Sequence, residues 1–177
     1  RLQGDWSSDV CSSDLFGGFL IKRVVDELQA EFSKLKTFST LSPIPGFARW
    51  VRRSVQDGTP IVAEEDLAVL NEQLNPENDE SPLTCLFDDA DWTNDATKQA
   101  AIEPILTKLC ARYLLREKNR RGRAADPVAH FHLTNGAQVE RLNWLADASA
   151  QGLSQSAGMM VNYLYNLSKI EIGRAHV

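Results

Sequence analysis

Three groups in this sequence combine a reactive side chain with a local setting suited to chemistry, and the first is a serine. Ser42 follows an apolar, β-branched run and stands directly before Pro43-Ile-Pro-Gly46. Because prolines end a strand abruptly, we expect the Ser42 hydroxyl at a strand end on a stiff support. A serine that merely begins the turn is the commoner finding at such a position.

The second is His132, in the segment His130-Phe-His-Leu-Thr134. Alternation predicts a strand with both histidines on one face. A histidine on a rigid strand can donate or accept a proton near neutral pH. A core histidine with its hydrogen bonds satisfied is the commoner finding. The evidence for a metal site formed with His130 is weaker still, because the sequence places no third and fourth ligand.

The third candidate group is the pair of tyrosine hydroxyls near the end of the chain. Tyr163 and Tyr165 lie in an apolar stretch that we interpret as a helix over 154–167. Most of that stretch is expected to be core. The alternative with a functional meaning is that one of the two tyrosine hydroxyls contacts a ligand. A basic cluster at 118–123 could hold phosphate, although such clusters are usually solvated surface.

Helices and strands must position these groups, and their predicted order is mixed. Residues 18–34 form an amphipathic helix with Gly17 and Gly18 at its start, where bare backbone N–H groups could receive an anion. The remaining predictions are a strand at 36–41, helices at 47–55, 63–73 and 95–118, a loop at 75–82, and a hairpin of strands 128–134 and 138–145 around Asn135-Gly136. This order predicts an α+β or α/β fold.

Composition bounds the function classes. The chain has 177 residues, 43% of them hydrophobic and 24% charged, and can therefore bury a core. A net charge of −5 argues against a general partner among nucleic acids or anionic membranes. No apolar run reaches the roughly 20 residues of a membrane span. Three scattered cysteines fit neither a disulfide framework nor a zinc site, so we expect a reducing, intracellular setting.

The sequences at the two ends of the chain do not resemble natural protein sequence. Residues 9–14 can be written GAC GTG TGC TCT TCC GAT, and residues 172–177 can be written as its reverse complement, ATC GGA AGA GCA CAC GTC. An inverted repeat of this kind resembles a sequencing adapter carried into an assembly. We therefore expect 1–15 and 172–177 to be adapter-derived and 16–171 to be native.

Five blocks of the native part together resemble the malonyl-CoA decarboxylase family in order and spacing. The resemblance implies the C-terminal part of a catalytic domain with an acetyltransferase-like (GNAT) fold and a helical insertion. In the family, a helical domain and the first catalytic strands come before this part. The blocks are Phe19-Leu-Ile-Lys-Arg-Val-Val25, Phe38-Ser-Thr-Leu-Ser-Pro-Ile-Pro-Gly-Phe47, Asp126-Pro-Val-Ala-His-Phe-His-Leu-Thr-Asn-Gly-Ala137, Arg141-Leu-Asn-Trp-Leu-Ala-Asp147 and Gln155-Ser-Ala-Gly-Met-Met-Val-Asn-Tyr-Leu-Tyr165.

The resemblance also implies roles for particular residues. Ser42 and His132 match the family's catalytic serine and histidine, and Tyr165 matches an active-site tyrosine. A glycine-containing loop that holds the pyrophosphate of coenzyme A is represented only by Phe16, Gly17 and Gly18. Some family members carry an active-site glutamate where this chain has Leu15.

The implied activity is decarboxylation of malonyl-CoA to acetyl-CoA and CO2 in a longer parent, without metal, biotin or nucleotide. We expect the isolated fragment to be inactive and the parent to be cytoplasmic and homo-oligomeric, as a tetramer. Two alternatives stay open. One is an acyl-CoA-dependent N-acyltransferase of the same fold with His132 as the base, and the other is a non-catalytic CoA-binding or interaction module.

Overall fold

The computed structural model describes residues 9–77 and 80–166, and within them helices surround one small sheet. Seven α-helices and three strands alternate irregularly along the chain, and a 3₁₀ turn covers Asp91–Asn94. The helices are α1 Asp9–Glu31, α2 Phe47–Gln56, α3 Glu64–Leu74, α4 Pro82–Asp88, α5 Ala96–Arg116, α6 Pro127–Thr134 and α7 Ala150–Ser156. The strands are β1 Phe38–Pro43, β2 Ala137–Asn143 and β3 Met160–Tyr165. The architecture is α+β.

The sheet is antiparallel with the order β1-β3-β2, so the last strand in the sequence is the central one. Phe38 and Ser42 of β1 lie opposite Tyr165 and Val161 of β3. β2 pairs with the other edge of β3 and carries an irregularity between Val139 and Arg141. Both outer strands therefore depend on β3 for their pairing.

One face of this sheet is buried and carries the reactive side chains. Alternate residues of a strand point to opposite faces. On β1, Ser42 is buried and Thr40 is half-buried, whereas Leu41 between them is 55% exposed. On β3, Tyr163 and Tyr165 are both buried on the same face as their partners Thr40 and Phe38. The pleat thus brings serine, threonine and tyrosine hydroxyls to one surface.

An aromatic cluster joins α2 to the long helix α5. The Phe47 ring lies 5.7 Å from the rings of both Phe87 and Tyr113, and Trp50 lies 5.2 Å from Tyr113. Phe47 and Tyr113 are essentially inaccessible to solvent. Contacts of this kind stabilise a core beyond the area that they bury, and here they fix α2, which begins directly after the turn that follows Ser42.

Gly46, at the start of α2, is the tightest point of this packing. A Cβ atom at Gly46 would overlap the Tyr113 hydroxyl and would lie 3.1 Å from Oδ2 of Asp126. We expect Gly46→Ala to lower the free energy of unfolding by about 1–3 kcal/mol, because neither buried neighbour can withdraw. Urea denaturation checks this, with Gly58→Ala as a contrast in which only the backbone angle is strained, since nothing lies within 4 Å of that site. An unchanged midpoint for Gly46→Ala would contradict the expectation.

The predicted strand at 128–134 is wrong, because Pro127–Thr134 forms the helix α6. The side chain of Asp126 accepts hydrogen bonds from the amides of Val128 and Ala129, and Pro127 occupies the first turn. An aspartate cap followed by proline is a helix start, and this signal outweighs an alternation of only four residues. His130 and His132 therefore do not share the face of a strand.

The predicted helix at 154–167 is also wrong. The helix α7 ends at Ser156, after which Ala157 and Gly158 adopt left-handed angles of φ +50° and +75°. The Gly158 amide donates to the carbonyl of Gly152, which closes the helix. The chain then continues as β3, in which Val161, Tyr163 and Tyr165 alternate with more exposed residues.

The first helix starts earlier than predicted, at Asp9 rather than near residue 18. Gly17 and Gly18 consequently lie inside α1 and not at its N-terminus, so the predicted open N–H groups are not a feature of the structure. The segment 9–16 contains no proline to stop the helix. Gly17 is buried, and a Cβ atom there would overlap the ring of Phe131 on α6. The glycine thus permits close contact between the two helices.

The other predicted elements are confirmed with small shifts. The helices at 47–55, 63–73 and 95–118 correspond to α2, α3 and α5, and the strand at 36–41 lies two residues further along as β1. The helix α4 and the 3₁₀ turn were not predicted. No helix in the described ranges is long and apolar enough to cross a membrane.

Candidate active site

The centre of the site is a contact between Ser42 and His132, which are 90 positions apart in the sequence. The Ser42 hydroxyl lies 3.1 Å from Nε2 of His132, within hydrogen-bond distance. Ser42 reaches this point from the buried face of β1, and His132 reaches it from α6, which packs over the sheet. The two side chains are 4% and 8% exposed. Both predicted catalytic residues therefore lie together.

Tyr165 occupies the other ring nitrogen of this histidine. Its hydroxyl lies 2.6 Å from Nδ1 of His132, so the three side chains form one hydrogen-bonded chain. With both ring nitrogens engaged, the imidazole plane is fixed. A metal pair with His130 is not what the structure presents, because His130 contacts Arg123 instead. The described residues contain no group of three or more His, Cys, Asp or Glu side chains arranged to hold a metal ion.

Two further residues of the sheet complete the surroundings. The Thr40 hydroxyl lies 3.0 Å from that of Ser42, and extends the chain by one member along β1. The ring of Tyr163 lies almost parallel to the imidazole of His132, with the ring centres 4.3 Å apart and an angle of 20° between the planes. The histidine is thus held edge-on by hydrogen bonds and face-on by an aromatic ring.

Burial sets the protonation states of the site. Desolvation lowers the pKa of His132 below its ordinary value, so that its neutral form is favoured near pH 7. Desolvation raises the pKa of Tyr165 to about 12, which keeps the phenol protonated. Neither hydrogen-bond partner of His132 is a carboxylate. The arrangement consequently differs from a Ser-His-Asp triad, in which an aspartate stabilises the imidazolium.

Such a site can do two things. A serine hydroxyl at the end of a hydrogen-bonded chain can donate to an oxygen on which negative charge develops. An imidazole that takes up a proton can pass it on to a carbon or a heteroatom nearby. Both groups sit on regular elements, which hold them more rigidly than loops would.

Comparisons with known proteins identify the family of this chain. Residues 11–176 match the family model for the malonyl-CoA decarboxylase C-terminal domain. The chain belongs to the malonyl-CoA decarboxylase family. The match includes β1 with Ser42, α6 with His132 and β3 with Tyr165.

Curated relatives and solved structures carry the same name. The chain is 43% identical over 159 residues to the mitochondrial malonyl-CoA decarboxylase of Rattus norvegicus, covering 86% of the chain and 32% of that protein. The corresponding enzyme of Anser anser anser is 40% identical over 156 residues, covering 85% of the chain and 31% of that protein. The chain thus spans about a third of the length of the malonyl-CoA decarboxylases that it matches.

Two bacterial crystal structures extend the likeness to three dimensions. Malonyl-CoA decarboxylase from Rhodopseudomonas palustris superposes with a TM-score of 0.73 at 42% identity, covering 89% of this chain and 33% of that one. The enzyme from Agrobacterium vitis superposes with a TM-score of 0.72 at 44% identity, covering 88% of this chain and 35% of that one.

Some residues around Ser42 and His132 were not predicted from the sequence. Thr40 lies two positions before Ser42 in a strand, so alternation alone could have placed both hydroxyls on one face. For Tyr163 the sequence predicts a role for the hydroxyl, whereas in the structure its aromatic ring stacks on His132. Asp126 was passed over, although Asp-Pro is a helix-start signal. Phe16, Gly17 and Gly18, the predicted substrate-binding residues, lie in α1. Gly17 contacts the ring of Phe131, the residue before His132. The side chain of Phe16 lies outside what the structure describes.

Proposed function

We propose that this chain carries the acid–base part of an enzyme that decarboxylates malonyl-CoA to acetyl-CoA and CO2. The observation that supports it best is the hydrogen-bonded chain from Ser42 through His132 to Tyr165, inside a domain of the malonyl-CoA decarboxylase family. The reaction releases CO2 and consumes one proton. The site offers the Ser42 hydroxyl to stabilise developing negative charge and the His132 imidazole to deliver the proton.

The mechanism follows from where charge moves. The bond between C2 and the carboxylate breaks, and its electron pair passes into the thioester to give an enolate. Ser42 donates a hydrogen bond to the departing carboxylate or to the enolate oxygen, which lowers the barrier. The protonated His132 gives its proton to C2, which completes acetyl-CoA, and it regains a proton from solvent. Tyr165 holds the ring in the orientation that this transfer needs.

A serine acyl-enzyme is a poorer account of the same residues. The product keeps the thioester bond of the substrate, so the reaction gives a nucleophile at the carbonyl carbon no task. The partner of Nδ1 is the hydroxyl of Tyr165, a group with a pKa raised to about 12, and not a carboxylate that would activate the serine. We therefore assign Ser42 to hydrogen bonding and His132 to proton transfer.

The binding of coenzyme A is assigned to the segment with the two adjacent glycines in α1. We propose that Phe16, Gly17 and Gly18 belong to the segment that holds the pyrophosphate. Support comes from the position of Gly17, whose backbone lies against Phe131, the neighbour of His132. In this role the segment would have to leave the helical form that it has here, as glycines allow more readily than other residues.

The larger context is proposed on the resemblance. An acetyltransferase-like (GNAT) fold is consistent with a central antiparallel strand flanked by helices. We further propose that 1–15 and 172–177 are adapter-derived, and that the parent is a cytoplasmic tetramer that also binds acetyl-CoA as product. Amplification across both junctions of the source DNA tests the ends, and light scattering on the recovered protein tests the tetramer.

The function is tested in a chimera in which 16–171 replace the matching segment of the Rhodopseudomonas palustris enzyme. We call this chimera the reconstituted enzyme. Incubated with malonyl-CoA alone, it is expected to release acetyl-CoA and CO2 in equal amounts, whereas the 177-residue chain alone is expected to show no turnover. Product that forms only after an amine is added would identify an N-acyltransferase, and binding without turnover would identify a CoA-binding module.

Ser42→Ala tests the assigned hydrogen bond in the reconstituted enzyme. We expect kcat to fall by about 10²-fold, the usual effect of removing one donor to a developing oxyanion, with KM changed far less. Ser39→Ala is the matched control, because Ser39 lies on the same strand with its side chain on the exposed face. Full activity of Ser42→Ala would refute the role of the serine.

A further inference from the structure

Ser42 and His132 belong to separate elements, and a single buried carboxylate joins those elements. Asp126 is 1% exposed and is bonded on both of its oxygens. One oxygen accepts hydrogen bonds from the start of the helix that carries His132. The other accepts a hydrogen bond from the turn that follows Ser42.

The first oxygen fixes the start of α6. Oδ1 of Asp126 accepts from the amide of Val128 at 2.9 Å and from that of Ala129 at 3.0 Å. These are two of the amides that a helix N-terminus leaves without a partner. Because α6 is only eight residues long, its cap controls the placement of the whole helix. The position of the His132 ring depends on that placement.

The second oxygen fixes the turn after β1. Oδ2 of Asp126 accepts from the amide of Gly46 at 3.1 Å. Between Ser42 and Gly46 the chain contains Pro43 and Pro45, each with a ring that locks one backbone angle. This stiff link transmits the position of Gly46 to the serine. The absence of a side chain at Gly46 is what lets the carboxylate approach.

We infer that Asp126 is a positioning residue that sets the contact between Ser42 and His132 by tying the turn after β1 to the start of α6. It touches neither reacting group. A shared anchor matters because a misplacement of about 1 Å in a catalytic pair can cost about 10²-fold in rate. The catalytic meaning of this role rests on the proposed function, whereas the positioning does not.

The test follows the ring nitrogens of His132 by NMR in the ¹⁵N-labelled 177-residue chain, so no turnover is needed. Asp126→Ala is expected to replace the signals of one fixed tautomer by the averaged signals of a mobile ring, and to raise the pKa of His132 toward about 6.5. His130 lies on the same helix and is more exposed, so its signals report how far α6 as a whole has moved.

The matched control removes a comparable cap far from the site. Asp95 caps α5 by accepting from the amides of Thr97 and Lys98, and it makes no bond to the segments of Ser42 or His132. Asp95→Ala is expected to remove the same pair of cap hydrogen bonds from α5 and to leave the His132 signals unchanged. Equal changes of the His132 signals in Asp95→Ala and Asp126→Ala would overturn the inference, as would an Asp126→Ala spectrum identical to that of the unaltered chain.

A second variant decides the matter if Asp126→Ala does not fold. Asp126→Asn keeps an oxygen for the cap of α6 but offers an NH2 group to the Gly46 amide. We expect the Gly46 amide to exchange with solvent at least about tenfold faster and the His132 Nε2 signal to move toward its position in Ser42→Ala. Wild-type His132 signals in Asp126→Asn would refute the positioning role. Since none of these readouts measures decarboxylation, failure of the proposed function would leave them standing.

Discussion

His132→Gln is expected to lower kcat of the reconstituted enzyme by roughly two to four orders of magnitude, the range in which a positioned proton donor accelerates a reaction. Glutamine retains a hydrogen-bonding group of similar reach but cannot deliver a proton to C2. KM for malonyl-CoA is expected to change much less, because the imidazole acts after binding. Steady-state kinetics with a coupled assay for acetyl-CoA measures both constants.

His130→Gln is the control for this prediction. His130 lies on the same helix two residues earlier, and its side chain meets Arg123 and not the serine. We expect this variant to keep kcat within about twofold of the unaltered enzyme, as is usual for surface substitutions away from the site. If both variants lost activity equally, the defect would belong to α6 as a whole and not to proton transfer by His132.

The pH dependence follows from the same residue. Burial lowers the pKa of His132, so its proton-carrying form is already scarce near neutral pH. The fraction of protonated imidazole falls as pH rises through that pKa, and kcat is therefore expected to fall in the same direction. A profile of kcat that rises across this range would mean that His132 acts as a base, as the acyltransferase alternative requires.

Tyr163→Ala is expected to produce the largest loss of stability, about 3–5 kcal/mol, because it removes a fully buried aromatic side chain from the central strand. Tyr163→Phe is expected to leave the free energy of unfolding unchanged or to raise it. The Tyr163 hydroxyl is buried without a hydrogen-bond partner in the described part of the chain, and its removal relieves a desolvation cost of about 1–3 kcal/mol. The phenylalanine keeps the ring that stacks on His132.

Urea denaturation of the 177-residue chain measures both variants on one scale. The expected order of midpoints is Tyr163→Phe at or above the unaltered chain, and Tyr163→Ala far below it. A loss of more than about 1 kcal/mol in Tyr163→Phe would show that the hydroxyl has a partner, such as a bound water. In that case the ring could not be treated as a purely apolar support for His132.

Much of this fold could be predicted from local signals. The helices α2, α3 and α5 have clear amphipathic patterns, and Ser42 was correctly placed near the end of a strand by the prolines that follow it. The resemblance carried by the five sequence blocks predicts Ser42, His132 and Tyr165 as residues of one site. The structure places Ser42 and Tyr165 each within hydrogen-bond distance of His132, on opposite nitrogens of its ring.

The failures came from short segments in which two patterns compete. In residues 130–134, polar and apolar residues alternate, but the cap at Asp126 decides for a helix. In residues 154–167, the helical spacing is interrupted at Gly158, where a positive φ allows the chain to turn into β3. No local signal could have shown that Tyr163 would stack on His132, because that contact depends on how α6 packs over the sheet.

The central place of β3 has a consequence for biosynthesis. Among the described residues, β1 and β2 each pair only with β3, which leaves the ribosome after both of them. Until then the two earlier strands have unpaired edges, a condition that favours aggregation. β3 also delivers Tyr165 and Tyr163 to His132, so the reactive histidine is neither oriented nor stacked in any nascent chain. Recovery of the Ser42–His132–Tyr165 contacts should thus be a sensitive marker for the last, most non-local step of folding.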